Sequence, residues 1–151
     1  MSEPKIKSRQ FIYRNSLRWQ GQRKGLLSCP DKPDIEIATP PEFKGHVGIW
    51  TPEELFVASV NTCIMTTFLH YADKQGVGFL SYESDAEGIL EKVADRFMFS
   101  KIIIKPRLLV NSNSELEKVK GLIEFAKQHC LISSSIRAEV ILEVNIGARD
   151  G

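Results

Sequence analysis

The strongest constraint on the fold is one long apolar segment, residues 55–72, which has the sequence LFVASVNTCIMTTFLHYA. Wound as a helix, it would carry apolar or small side chains around nearly its whole circumference, a pattern typical of a buried helix. Thr51 before it is a good N-cap, Pro52 suits the first helical position, and Glu54 suits the third. The helix should run to about residue 75, because Gly76 is a suitable C-terminal cap.

Short strand patterns precede this helix and longer ones follow it. Alternating apolar and polar residues are typical of strands, and glycine and proline mark the turns between them. A second capping box, residues 114–117, opens an amphipathic helix. The order is strand, strand, strand, helix, strand, strand, helix, strand, which predicts an α+β fold with antiparallel sheets around the long helix. The predicted strands cover residues 11–20, 26–28, 34–39, 82–88, 97–109 and 136–146.

Length and charge predict a soluble, cytoplasmic protein of one domain, residues 1–151, with flexible ends at 1–9 and 147–151. The 20 basic and 19 acidic residues nearly cancel, so the charge gives no reason to expect binding to nucleic acid or to an anionic membrane. Residues 1–9 lack the apolar stretch of a signal peptide. No run approaches the roughly 18 apolar residues of a membrane-spanning helix.

The long helix is more apolar than one small domain can cover. A chain of 151 residues has too little structure to surround the whole circumference of a central helix of this length. We therefore infer that a second copy of the chain covers part of it, in a homodimer.

Three cysteines, Cys29, Cys63 and Cys130, carry the candidate chemistry. An odd number with no secretion signal disfavours a structural disulfide framework. The sequence has no CxxC motif and no Cys/His cluster, so we do not expect a metal site. Cys63 lies in the long helix and Cys130 near the end of the second helix, both on core-facing stripes, so the two thiols could face each other. Each could instead be an inert buried thiol, which is the commoner role of cysteine in a core.

The residues around these thiols leave the chemistry open. Hydroxyl groups are close in the sequence, at Thr62 and Thr66 and in residues 133–135. A reactive thiol also needs a cation or hydrogen-bond donors, and Arg23 in a glycine-flanked turn is a candidate, although turn arginines are commonly just solvated. Glu53 could be functional, or could simply complement the dipole at the helix start.

Four segments of the sequence occur in a recognisable order. They are the turn Arg23-Lys24-Gly25, the stretch IEIATPPEF at residues 35–43, TPEELFVASVNTC at residues 51–63, and AKQHCLISSS at residues 126–135. Together they resemble the OsmC/Ohr family, the osmotically induced and organic hydroperoxide resistance proteins. The third segment is similar to the family signature of a Pro-Glu pair followed ten residues later by cysteine, and the fourth resembles the segment of the family's second cysteine. Leu131 replaces a proline of many hydroperoxide resistance members, and the loop 42–50 differs, so the chain looks more like the general OsmC-like branch.

The resemblance implies a thiol peroxidase. In that mechanism Arg23 lowers the pKa of Cys63 and is held by Glu53, and the Cys63 thiolate reduces a hydroperoxide and becomes a sulfenic acid. Cys130 then forms a disulfide with Cys63, and an external dithiol, a lipoyl-type compound being one candidate, reduces that disulfide. No metal, haem or flavin cofactor is implied. Cys29 has no counterpart in this scheme. The expected apolar substrate pocket is formed by Phe43, Trp50 and Phe56.

Two other functions and an oligomeric state accompany this expectation. The same fold could serve a non-catalytic protein that binds a small apolar ligand or senses oxidants. A thiol hydrolase using Cys63 with His70 or His129 is a third hypothesis, which lacks a recognisable Cys/His/Asn constellation. Ten helical residues separate Glu53 from Cys63, or about 15 Å, so they cannot meet on one straight helix. Either the helix breaks between them, or the groups around each thiol come from the two chains of an intertwined homodimer, which the apolar character of the helix favours.

Overall fold

The computed structural model describes residues 9–149, so most of the expected flexible ends lies outside the described residues. The chain forms two compact units, Met1–Pro52 and Glu53–Gly151. The first contains three short strands, and the second contains both long helices and the remaining strands.

The first unit is a three-stranded antiparallel sheet of β1 (Ser16–Trp19), β2 (Lys24–Ser28) and β3 (Ile35–Ala38), with β2 in the middle. Residues 11–15 were expected to extend the first strand, but they are not part of it. Ser16 pairs with Ser28, and β2 ends there, so the residues before Ser16 have no strand to pair with.

The loop after β3 returns to the sheet. It contains a 3-10 helix, Pro41–Phe43, and comes back at Trp50, whose carbonyl oxygen accepts a 2.8 Å hydrogen bond from the Ala38 N–H. A side chain at Gly45 would overlap the carbonyl group of Thr39, so this close turn requires glycine.

The long helix α1 (Pro52–Gln75) has the predicted bounds. It starts directly after Thr51 and ends before Gly76, which has φ +65°, the left-handed conformation expected of a C-terminal cap. In one chain, however, the helix is not buried all round. Its fully buried residues form a single stripe with a spacing of four: Val60, Ile64, Phe68 and Ala72.

The expectation that no segment approaches a membrane span needs correction. Helix α1 has a window of mean hydropathy 1.3 and is long and apolar enough to cross a membrane by length and composition. Averaging over a window tolerates the interspersed asparagine and threonine residues, whereas counting uninterrupted apolar residues does not. Only 22% of that window is buried in the single chain, although the core helix of a soluble protein can have the same composition.

In the second unit, α1 lies against a long antiparallel hairpin of β4 (Ser81–Val93) and β5 (Arg96–Val110). A side chain at Gly88 would overlap Val57 of α1, so the strand and the helix are in close contact there. Tyr82 of β4 packs on Phe68 of the helix, with ring centroids 5.5 Å apart.

Helix α2 (Asn113–His129) follows this hairpin and begins one residue before the expected capping box. Ser112, with extended backbone angles, occupies the N-cap position. Ser114, the expected N-cap, is instead the second residue of the helix. Its hydroxyl lies 2.8 Å from that of Ser112. The core-facing stripe of α2 comprises Val119, Leu122, Ile123 and Ala126.

The last predicted strand is two short strands, β6 (Glu139–Leu142) and β7 (Asn145–Ala148), both parallel to β5. Both keep the same register, since Ile104 pairs with Leu142 and Arg107 with Asn145. The interruption lies opposite Pro106, which has no N–H to donate to the sheet. The sheet is therefore mixed rather than purely antiparallel.

Candidate functional site

Helices α1 and α2 bring Cys63 and Cys130 together. Cys63 is half-buried on α1, and Cys130, directly after the last residue of α2, is completely buried. Both are free thiols. The two thiols interact, because each shifts the pKa of the other through a side-chain hydrogen bond. The arrangement therefore pairs an accessible sulfur with an inaccessible one.

The surroundings of Cys63 favour its thiolate form. Burial by itself raises the pKa of Cys63. Hydrogen bonds from the Cys130 thiol, the Ile132 backbone, the Thr67 hydroxyl and the Leu131 backbone together lower it by more, so the pKa of Cys63 is lowered overall. Donors that stabilise a thiolate make it available as a nucleophile at lower pH.

The surroundings of Cys130 favour its neutral thiol. Burial raises its pKa, and the interaction with Cys63 raises it further, while the side chain and backbone of Ser133 act in the opposite direction. The Ser133 N–H donates to the Cys130 sulfur over 3.4 Å. Two neighbouring sulfurs cannot both carry a negative charge without strong repulsion, and the opposite pKa shifts make Cys63 the first of the two to ionise.

The hydroxyl neighbour of Cys63 is Thr67, not the threonines singled out in the sequence. Thr67 Oγ1 lies 3.9 Å from Cys63 Sγ, one helical turn away. Thr62 and Thr66 instead bond to backbone carbonyl oxygens of their own helix. The signal was present in the sequence, because residues four apart share a helix face.

Backbone groups after α2 were not predicted, since side-chain identity does not reveal them. The chain turns at residues 130–133 so that N–H groups of three successive residues point at the two sulfurs. The hydroxyls of Ser134 and Ser135 take no part, because each donates to the carbonyl oxygen of Leu131. Of the three predicted serines, only Ser133 reaches a sulfur.

Arg23 belongs to the first unit, where it is exposed and holds the loop after β3. Its guanidinium donates a 2.9 Å hydrogen bond to the Phe43 carbonyl oxygen, and its own carbonyl oxygen accepts from the Thr39 N–H. Two of the predicted site residues, Arg23 and Phe43, are thus brought together. The Phe43 side chain is 45% exposed and the Trp50 side chain 53% exposed, so both apolar rings remain accessible.

Glu53 and Phe56 belong to the second unit, in the first turns of α1. Glu53 Oε2 is buried and has no hydrogen-bond partner within residues 9–149, which leaves an acceptor for a cation. Phe56 is half-buried and stacks on Phe99 with ring centroids 4.9 Å apart. Because α1 is continuous, Glu53 stays ten residues from Cys63 on the same helix.

His70 and His129 pack against aromatic rings, and neither forms the pair with Cys63 that a thiol hydrolase would need. His129 stacks on Phe125 at 3.8 Å between ring centroids, and its Nδ1 lies 2.9 Å from the carbonyl oxygen of the same residue. His70 packs edge-on against Tyr71. In the part of the chain that the structure covers, no group of three or more His, Cys, Asp or Glu residues is placed to hold a metal ion.

Comparison with known proteins identifies the family of this chain. Residues 45–145 match the family model of OsmC-like proteins. Peroxiredoxin OsmC of Escherichia coli is 28% identical over 104 residues, which cover 69% of this chain and 71% of that protein.

Two solved structures show the same fold. An OsmC-like protein of unknown function from Vibrio cholerae superposes with a TM-score of 0.79 at 24% identity, covering 88% of this chain and 99% of the other. An organic hydroperoxide resistance protein OsmC from Legionella pneumophila gives a TM-score of 0.71 at 21% identity, covering 91% and 99% of the two chains. The family match spans both cysteines, and with the shared fold it establishes that this chain belongs to the OsmC-like protein family.

Proposed function

We propose that this protein is a thiol peroxidase that reduces organic hydroperoxides, and inorganic ones more slowly, in defence against oxidative stress. The observation that carries the proposal is the pair of interacting thiols whose pKa values move in opposite directions, down at Cys63 and up at Cys130. An accessible thiolate beside a buried neutral thiol is the division of labour between an attacking and a resolving cysteine. The names of the related Escherichia coli and Legionella proteins support the same substrate class.

The reaction proceeds in three steps. The Cys63 thiolate attacks one peroxide oxygen, the S–O bond forms, the O–O bond breaks, and the alkoxide leaves as an alcohol after taking a proton. Cys130 then attacks the sulfenic sulfur, and the S–S bond forms with loss of water. An external dithiol, with a lipoyl-type compound as the candidate, reduces this disulfide by exchange and returns both thiols. The cycle needs no metal, haem or flavin.

The remaining site residues would supply charge and apolar surface. In this proposal Arg23 adds a positive charge that further favours the Cys63 thiolate, and Glu53 holds the guanidinium. Two observations support this. Glu53 Oε2 has no hydrogen-bond partner within residues 9–149, and a hydrogen bond to the Phe43 carbonyl oxygen holds the Arg23 guanidinium beside Phe43. Phe43 and Trp50 present exposed rings and, with Phe56, would favour an organic hydroperoxide over hydrogen peroxide.

The proposal includes a homodimer. Helix α1 is unbroken, so Glu53 and Cys63 of one chain are about 15 Å apart along its axis. Groups around each thiol would then come from two chains. The dimer would also cover the apolar side of α1 that one chain leaves partly exposed. Light scattering at low micromolar concentration should report twice the mass of one chain, whereas a stable and fully active monomer would contradict it.

Because the proposed cycle needs an external dithiol, we propose that the protein acts in a reducing compartment, the cytoplasm. A disulfide formed at each turnover must be reduced again before the next.

The direct test is stopped-flow oxidation of the reduced protein with an alkyl hydroperoxide and, separately, with hydrogen peroxide. We expect stoichiometric alcohol formation, a Cys63–Cys130 disulfide in peptide maps, and faster reaction with the alkyl hydroperoxide. Sustained turnover with a dithiol would identify an enzyme. Rapid oxidation that no dithiol reverses would instead indicate an oxidant sensor, and the absence of any reaction would refute the peroxidase proposal.

A further inference from the structure

Building on the proposed function, we propose that Ser133 is the hydrogen-bond donor that stabilises the Cys130 thiolate when Cys130 attacks the oxidised Cys63. The step joins Cys130–S⁻ to Cys63–S–OH, forms the S–S bond and breaks the S–O bond. The hydroxide that leaves takes up the proton released from Cys130, so the products are a disulfide and one water molecule.

Ser133 offers two donors to the same sulfur. Its backbone N–H already lies 3.4 Å from Cys130 Sγ. Its hydroxyl lies close enough to favour the Cys130 thiolate, yet its oxygen is buried and makes no hydrogen bond within residues 9–149. A buried hydroxyl without a partner is costly and rare in native proteins. A neutral thiol is a weak acceptor, whereas a thiolate is a strong one, so this hydroxyl gains its partner when Cys130 ionises.

The neighbouring serines cannot take this role. Ser134 Oγ donates to the carbonyl oxygens of Cys130 and Leu131, and Ser135 Oγ donates to that of Leu131. These bonds fix the turn after α2. Only Ser133 combines a position beside the sulfur with an uncommitted hydroxyl.

The negative charge has to form on Cys130 after Cys63 has been oxidised, and this makes such a donor necessary. In the reduced protein Cys63 ionises before Cys130, because the pKa of Cys63 is lowered while burial and the adjacent Cys63 both raise the pKa of Cys130. Once Cys63 is a sulfenic acid, its charge is gone and the repulsion ends. Burial still disfavours the Cys130 thiolate, and the donors that face it are those of Ser133.

Other ionisable groups around Cys130 are limited. Cys63 faces it from α1. On α2, Lys127 lines a cleft with Ser133, Ala138 and Val140, and the adjacent His129 ring stacks on Phe125. We therefore assign the pH dependence of the resolving step to Cys130 itself. Lys127, the nearby cation, is left unchanged in every variant that is compared.

The test uses disulfide exchange, so that it does not depend on peroxide chemistry. In a Cys29→Ser background, 5,5′-dithiobis(2-nitrobenzoate) first modifies Cys63 in a bimolecular step that releases one coloured thiolate. Attack by Cys130 on the mixed disulfide then releases the second in a first-order step. The two phases separate the attacking thiol from the resolving thiol.

We expect Ser133→Ala to slow the second phase at neutral pH and leave the first unchanged. Losing one donor lowers the thiolate fraction about tenfold, and the more basic thiolate recovers about threefold of this, so the net loss is about threefold. At high pH, where Cys130 is fully ionised, the variant should match or exceed the parent. Ser133→Thr keeps the hydroxyl and should restore the neutral rate, and Ser135→Ala should behave as the parent.

Three results would overturn the proposal: an unchanged second phase, a second phase that is slowed equally at every pH, or a first phase that is slowed as well. The last two would mean that Ser133 only shapes the turn. Because no peroxide is used, the exchange result stands even if the protein does not reduce hydroperoxides. Failure of the peroxidase proposal would appear in the stopped-flow experiment with the parent protein, and failure of the Ser133 proposal only in the variant.

Discussion

The two units of the molecule each contain a half-buried thiol, and the two settings differ. In the first unit, Cys29 donates to the Arg14 carbonyl oxygen over 3.4 Å and lies 3.7 Å from the Lys32 ammonium. In the second, Cys63 lies beside another thiol and receives hydrogen bonds from backbone and side-chain donors. Cys29 is the only cysteine of its unit.

This difference shows what a redox thiol needs beyond a nearby cation. Cys29 has the Lys32 ammonium beside it, but an oxidised Cys29 would find no second cysteine in its unit to form a disulfide. An oxidised thiol without a resolving partner proceeds to irreversible forms. The Cys63–Cys130 pair has both an accessible sulfur and a partner, and the following predictions probe that distinction.

Replacing the attacking thiol should have the largest effect. For Cys63→Ser we expect peroxide reduction to fall by at least about a thousandfold, because a hydroxyl is a far weaker nucleophile towards peroxide oxygen than a thiolate. The matched variant Cys29→Ser should keep the parent rate within about twofold, since the proposed chemistry does not involve it. Initial rates with an alkyl hydroperoxide and dithiol measure both. Loss of activity in Cys29→Ser would break the comparison between the two units.

Replacing the resolving thiol should permit one turnover and prevent the cycle. In Cys130→Ser, Cys63 should still reduce one equivalent of hydroperoxide and then accumulate as sulfinic and sulfonic acids. A Cys130→Ala variant should in addition slow the first step at neutral pH, because it lacks the donor that lowers the pKa of Cys63 most, whereas the serine keeps one. Mass spectrometry after graded peroxide addition gives the oxidation state. Sustained turnover by Cys130→Ser would show that another group resolves Cys63.

The smallest effect should come from the helix hydroxyl. Thr67→Val removes the donor that lies 3.9 Å from Cys63 Sγ, so the pKa of Cys63 should rise and the rate of peroxide reduction below that pKa should fall about two- to fourfold. At higher pH, where Cys63 is fully ionised, the variant should equal the parent. Thr66→Val is the control, because the Thr66 hydroxyl bonds to a backbone oxygen instead. Equal effects of the two substitutions over the pH range would assign the change to the helix rather than to the thiolate.

Local patterns in the sequence predicted much of the fold. The N-cap threonine and Gly76 gave the bounds of α1, since both act within one helical turn. The break between β6 and β7 was missed because it depends on Pro106, which is far away in the sequence and opposite them only in the folded sheet. Parallel pairing with β5 is likewise a property of the assembled sheet, which periodicity alone does not reveal.

The candidate site was predictable to a smaller degree. Core-facing stripes placed Cys63 and Cys130 on helix faces that could meet, and the family resemblance gave them roles. The four-residue spacing could have identified Thr67. The N–H groups that point at the sulfurs could not be found this way, because every residue except proline has one and only the turn after α2 determines where they point.

The central claim is that Cys63 is the thiolate of this protein, and thiol alkylation across pH tests it most directly. The reduced protein would be treated briefly with iodoacetamide at a series of pH values, and each cysteine-containing peptide would be quantified by mass spectrometry. The account predicts that Cys63 reacts first at acidic pH, with a midpoint below the value of about 8.5 for free cysteine, while Cys130 remains unmodified until higher pH. Faster modification of Cys29 or Cys130 would contradict the assignment.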